Sequence, residues 1–253
     1  MWFELPRRAP DWSRAVRRLK RDPVMRRIIA SVGPCTLHPR RDYFVVLCKS
    51  IFTQQISTAV ATTLFGRFRD LFPVRRPTPA RVAKALANGN TDALCGCGLS
   101  RQKHSYLLDL SRRFEAGEIP TRRFARMTDE QIIDALLEVK GIGRWTAEMF
   151  LIFVLNRPDV WPVDDLGLRE GVKQAYGLAE RPGAAELSEL GERWRPYRTV
   201  ATWYLWRSLA ADLTHPRGRS SSSRRRGARN ARPRPSTSSP TRRPASRTRP
   251  TPS

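Results

Sequence analysis

Two groups of residues in this chain could do chemistry, and they lie close together in the sequence. The first is the pair Asp164 and Asp165, which follows the apolar run Val160 to Val163 and precedes Leu166-Gly167-Leu168-Arg169. A carboxylate fixed in a dry site stabilises positive charge that develops as a bond breaks, and it can orient or deprotonate an attacking water. An aspartate ahead of Leu-Gly-Leu-Arg is equally a good helix cap, so the pair alone leaves both roles open. The second group is Gly141-Ile142-Gly143. Glycines let another backbone come close, and the amides of such a turn, with the next helix's N-terminus, suit a phosphate. Alone, a short glycine motif also fits an ordinary helical hairpin.

The elements around these residues are helical. Thr128 with Gln131 predicts a capping box and a helix start, with Ile132, Ile133, Leu136 and Leu137 on its buried face. That helix should stop near Lys140, with Ile142 as an apolar plug under the turn. A second helix follows, with Ala147, Phe150, Leu151 and Val154 as its buried stripe and Pro158 beyond its end. Ser57 and Ser100 predict two further caps. The first leads a helix carrying Val60, Leu64, Phe65 and Phe68; the second leads one carrying Leu107, Leu110 and Phe114 and ending at Gly117. A short helix is expected over Ala80 to Asn88, stopping at Gly89, and a closing helix from near Pro196 past Trp206. Trp12 to Arg27 predicts one basic amphipathic helix. Strand signals are sparse. The expectation is an all-α fold of two helical lobes with a cleft between them.

With these motifs in place, the run VKGIGRWTAEMF followed by WPVDDLGLR resembles the helix-hairpin-helix DNA glycosylase superfamily. Within it the chain is most similar to the 3-methyladenine-DNA glycosylase II family, which removes alkylated bases. Three more blocks carry the likeness in the family's order: Ser50 to Phe68, Gly98 to Ile119 and Glu192 to Arg207. The resemblance divides the chain into a basic N-terminal segment (1–40), a glycosylase domain (41–210) and a tail (211–253). Some relatives begin with an extra α/β domain; about forty residues leave it absent or vestigial here.

The same resemblance implies roles for particular residues. Asp165, second of the pair, becomes the catalytic carboxylate, facing a sugar that gains oxocarbenium character; Asp164 becomes a cap or an outer group. Trp145 stands where lyase-active relatives carry a nucleophilic lysine, which implies a monofunctional enzyme with water as nucleophile. Lys140 does not match that position. Trp145, Trp206, Gln54 and Met149 line the base pocket, Met149 standing where some relatives have tyrosine. Core packing is the alternative for both tryptophans. Gln55 sits where relatives insert a wedge into the gap left by a flipped base. Gly141, Ile142, Gly143 and Arg144 contact the DNA backbone. Arg101, Lys103 and Arg169 contact phosphates or are simply solvated. The implied partner is duplex DNA containing alkylated bases, bound by a monomer, with no cofactor. Two other readings stay open: a lesion-sensing DNA-binding protein without catalysis, and a glycosylase for another lesion class. An oxidised-guanine lyase is disfavoured by Trp145.

Composition fits an anionic partner. The 253 residues carry a net charge of +24. Twelve arginines and one aspartate fall among residues 211–253, so the tail holds +11 of this and residues 1–210 hold +13. The tail has almost no large apolar residue and is expected to be disordered, either an electrostatic arm on DNA or a dispensable extension. Cys35, Cys48, Cys95 and Cys97 do not have zinc-pair spacing, and no cysteine follows Cys97, so neither zinc nor an iron–sulfur cluster is expected. Hairpin carbonyls could hold a monovalent cation, which leaves no residue signature. Reduced thiols, no long apolar run and no signal-peptide core at Met1 to Pro10 predict an intracellular, DNA-associated protein without a membrane span.

Overall fold

The computed structural model describes residues 10–87 and 97–210. The tail, Cys95 and the expected helix stop at Asn88 and Gly89 lie outside the described residues. Among the described residues there are eleven α-helices and no strand. They are α1 (Ser13–Leu19), α2 (Pro23–Val32), α3 (Tyr43–Thr53), α4 (Thr58–Asp70), α5 (Pro79–Ala87), α6 (Arg101–Glu115), α7 (Asp129–Leu137), α8 (Arg144–Phe150), α9 (Leu166–Tyr176), α10 (Ala184–Glu192) and α11 (Arg198–Ala210). A π-helical turn, Leu151–Leu155, follows α8 directly. No described helix is long and apolar enough to cross a membrane.

The helices pack in two groups, the two lobes expected. In one, α3 packs on α4 and α6, and α5 on α6. In the other, α11 packs on α2, α9 and α1. The hairpin α7–α8 joins them, and one apolar core runs through both: Leu47, Ile51 and Leu107 in the first, Leu168, Val172 and Leu205 in the second. The caps form as local chemistry dictates. Thr128 and Gln131 make the capping box, and Ser57 and Ser100 accept from the backbone N–H groups of Val60 and Lys103.

Three expectations are corrected. The single helix over Trp12 to Arg27 is two helices. Asp22 caps α2, accepting from the amides of Val24 and Met25, and Pro23 takes the first helical position, where its missing N–H costs nothing. Both helices are buried against the second lobe: Leu19, Met25 and Ile29 sit in the core, and Tyr204 Oη donates to Gly33 O at 2.9 Å. Val60 is exposed in the first turn of α4, beside buried Phe65 and Phe68, and Leu137, the last residue of α7, leaves the buried stripe.

The connection from α8 to α9 carries the aspartate pair and is tied down at its start. Fully buried Thr199, in the first turn of α11, accepts from the Val160 amide at 3.0 Å and donates to Arg157 O at 2.5 Å. Asp159 accepts from Arg198 and Arg195 at 2.8–3.0 Å. Thr199→Val keeps the shape and removes both hydroxyl bonds, leaving a buried amide and carbonyl short of partners. The expected cost is about 1–3 kcal/mol, read as a lower urea midpoint with an unchanged slope.

Candidate active site

The hairpin turn has its shape because one residue has no side chain. α7 stops at Leu137, and the Ile142 amide closes the turn on Val139 O at 3.0 Å. Gly141 has φ +82°, and a Cβ there would sit 2.1 Å from Tyr106 Cδ2, so both backbone angle and space demand glycine. Ile142 is buried under the turn as its apolar plug. Gly143 is the N-cap of α8, in extended backbone, with nothing within 4 Å of where a side chain would go. That side of the turn is open to another backbone.

Trp145 lies in the first turn of α8, and its indole Nε1 donates to Asp165 Oδ2 at 2.8 Å. Trp206, on α11, donates through its own Nε1 to Asp165 Oδ1, also at 2.8 Å. The Leu168 amide donates to the same Oδ1 at 2.5 Å, so Asp165 is the N-cap of α9. Asp165 is 8% exposed. The cap and the candidate catalytic carboxylate are therefore one residue. Asp164, for which a cap was expected, is exposed and accepts from Arg169 Nη2 at 3.1 Å. A carboxylate offers about four acceptor positions. Three are filled by N–H donors, which suits an anion, and the remaining one is on Oδ2.

The surroundings of Asp165 are apolar and partly open. Trp145 is 52% exposed, Leu166 63% and Phe153 40%. Phe153 stacks nearly flat on Trp206, with ring centroids 5.5 Å apart and an interplanar angle of 17°. Gly167 leaves room for the clamp, since a Cβ there would lie 3.1 Å from Asp165 Oδ1 and 3.2 Å from Trp206 Nε1. Met149 is half-buried on the turn of α8 between Trp145 and Phe153.

The glutamines stand apart from this carboxylate. Gln54 Nε2 donates to Gly141 O at 2.6 Å, so Gln54 ties the end of α3 to the hairpin. Gln55 is exposed with φ +60°, a left-handed conformation that costs a non-glycine residue energy and that its surroundings must hold in place. Lys103 supplies part of that support. Its Nζ donates to Phe52 O at 2.9 Å and to Gln54 O at 2.8 Å, capping α3, and burial pushes its ammonium below the usual lysine range.

Other expected phosphate contacts are already engaged. Arg144 donates to both oxygens of Glu130, at 2.8 and 3.1 Å, and pairs with Glu148 at 3.3 Å. Burial pushes the Glu148 carboxyl up, and the Arg144 charge opposes this. Arg169 donates to Val163 O and Asp164, bracing the loop. Arg101 is exposed at the start of α6. Among the described residues no three or more His, Cys, Asp or Glu side chains could hold a metal ion.

The structure thus brings Asp165, Trp145 and Trp206 together and places Gln54 and Gln55 on a turn fastened to the hairpin. Sequence reasoning missed Gly167, Phe153 and the capping role of Lys103. Phe153 had a signal: Trp145, Met149 and Phe153 recur at i, i+4 and i+8.

Comparison with known proteins places this geometry. Residues 48–196 match the family model for HhH-GPD superfamily base excision DNA repair proteins. The chain is 34% identical over 201 residues to DNA-3-methyladenine glycosylase 1 of Schizosaccharomyces pombe, spanning 77% of this chain and 86% of that protein. It is similar to the structure of the S. pombe 3-methyladenine DNA glycosylase in complex with abasic DNA, with TM-score 0.67 and 32% identity over 78% of this chain and 97% of that one. It also resembles the structure of a DNA-3-methyladenine glycosidase from Bacillus halodurans, with TM-score 0.68 and 32% identity over 82% of this chain and 99% of that one. The chain belongs to the HhH-GPD superfamily of base excision DNA repair proteins.

Proposed function

We propose that this protein is a monofunctional DNA glycosylase that hydrolyses the N-glycosidic bond of alkylated purines, of the 3-methyladenine and 7-methylguanine type, in duplex DNA. The observation that carries the reading is Asp165: a nearly buried carboxylate held by two indole N–H groups and an amide, with apolar walls open on one side. The names of the relatives and the abasic DNA in one related structure support the substrate class.

Methylation at a purine ring nitrogen gives the base a positive charge. When its bond to the sugar breaks, the electron pair goes to the base, which leaves neutral, and the sugar gains oxocarbenium character. Asp165 is the fixed negative charge for that cation. A water adds to the sugar carbon, and its proton passes to the open acceptor position on Oδ2 and on to solvent. Trp145 has no amine to form a Schiff base, and the Lys103 ammonium is committed to two carbonyls, so the product is an intact strand with an abasic site. Gln55, raised on its strained turn, fills the gap left by the flipped base. The hairpin at Gly141 to Gly143 takes the backbone nearby, where positive charge adds salt-dependent affinity.

Two measurements test this. Methylated duplex incubated with wild type is expected to release methylated purine, with strand breaks only after alkali. Asp165→Asn is expected to slow single-turnover release by about 100-fold or more, the scale of losing one preorganised electrostatic contact; equal rates would assign the chemistry to another group. Lys103→Met is expected to loosen the Gln54 to Gln55 turn and slow release about tenfold through misplacement, with the helical circular dichroism unchanged. A Lys103→Met protein as fast as wild type would show that the turn needs no such support.

A further inference from the structure

The open wall beside Asp165 contains an aromatic ring with no role in the chemistry described so far. Phe153 is displayed by the π-helical turn Leu151–Leu155, where its neighbours Ile152 and Val154 are buried while it is 40% exposed. Extra-residue turns of this kind interrupt helices most often at functional positions. With Trp145 and Met149 it completes a stripe along one face of α8 and its extension. One face of the Phe153–Trp206 stack is used by the pair itself, at 17° between planes. Trp206 is further committed through its N–H to Asp165. Its orientation is therefore fixed at the edge by the carboxylate and on one face by Phe153. Trp145 is likewise held at its edge. Among these rings Phe153 donates no hydrogen bond and keeps exposed surface beside the carboxylate. Apolar side chains left open around a buried charge mark a binding site for a flat, electron-poor group.

We propose that Phe153 is a base-stacking, specificity-determining residue of this site, and that Trp206 serves first as a positioning residue that holds Asp165 and backs the Phe153 ring. The inference rests on the glycosylase reading above. The ligand it would take is the extruded alkylated purine, which needs a π-face to replace the stacking lost on leaving the duplex.

The test compares full-length wild type with Phe153→Ala, Phe153→Leu and Phe153→Tyr. Single-turnover release of 7-methylguanine and 3-methyladenine is measured from methylated duplex, alongside affinity for undamaged duplex and the urea midpoint. Base–aromatic stacking predicts that Phe153→Ala slows release about 10-fold or more. Phe153→Tyr should stay near wild type, Phe153→Leu should be slowed, and undamaged-duplex affinity should hold for all three. Wild-type rates in Phe153→Ala would overturn the inference and leave the proposed function standing. Full rescue by Phe153→Leu would overturn it too, because apolar bulk behind Trp206 would then suffice. Equal loss of undamaged-duplex affinity and release would assign Phe153 to general folding or DNA binding. If wild type releases no base from methylated DNA, the proposed function fails and the inference falls with it.

Discussion

A carboxylate almost removed from water is costly unless donors replace the water it has lost. Asp165 receives three: the Trp145 indole, the Trp206 indole and the Leu168 amide. Each comes from a different helix, α8, α11 and α9. The same three bonds that make the anion tolerable also fix these helices around it. Losing any of them leaves both a misplaced carboxylate and an unpaired N–H in a partly dry site. The site and the local packing are thus one constraint. It explains why Gly167 has no side chain, since a Cβ would press on both the carboxylate and the Trp206 nitrogen.

The rest of the molecule delivers these donors. Thr199 and Asp159 pin the start of the α8–α9 connection to α11, and Arg169 braces its end through Val163 O and Asp164. On the other side, Gln54 and Lys103 join the end of α3 to the hairpin and to α6. The exposed, strained Gln55 and the Gly141 turn therefore keep a set position relative to one another. Rigid placement of this kind suits an extrusion step, where the energy of displacing a base must be met by surfaces already in position.

Much of this was legible in the sequence where interactions are local. Thr128, Ser57 and Ser100 cap helices through bonds to residues two or three positions on, so their patterns could be read directly. The buried stripes of α7 and α8 followed from 3.6-residue spacing. The resemblance supplied Asp165, Trp145 and Trp206 as a set. It did not supply how they meet, because the indole donors lie 20 and 41 residues from Asp165 and only the folded chain brings their edges to it. The tryptophans were expected as stacking walls, and the structure uses their edges. Asp164 was expected as a cap because two adjacent aspartates look alike in sequence; only backbone direction decides which one faces the helix. Phe153 was hidden by the π-helical turn, which displays it between two buried neighbours. The N-terminal helices were underestimated because their many arginines mask a buried side formed by Leu19, Met25 and Ile29.

The central claim is that Asp165 presents a fixed negative charge to a sugar carrying positive charge. It is tested most directly by binding, without turnover. Duplex affinity is measured for wild type and Asp165→Asn with two abasic-site mimics, a cationic pyrrolidine and a neutral tetrahydrofuran. Wild type is expected to prefer the cationic duplex by about tenfold or more, and Asp165→Asn to lose that preference, as a close opposite charge in a low-dielectric site requires. The same preference in both proteins would contradict the account and place the charge that meets the sugar elsewhere.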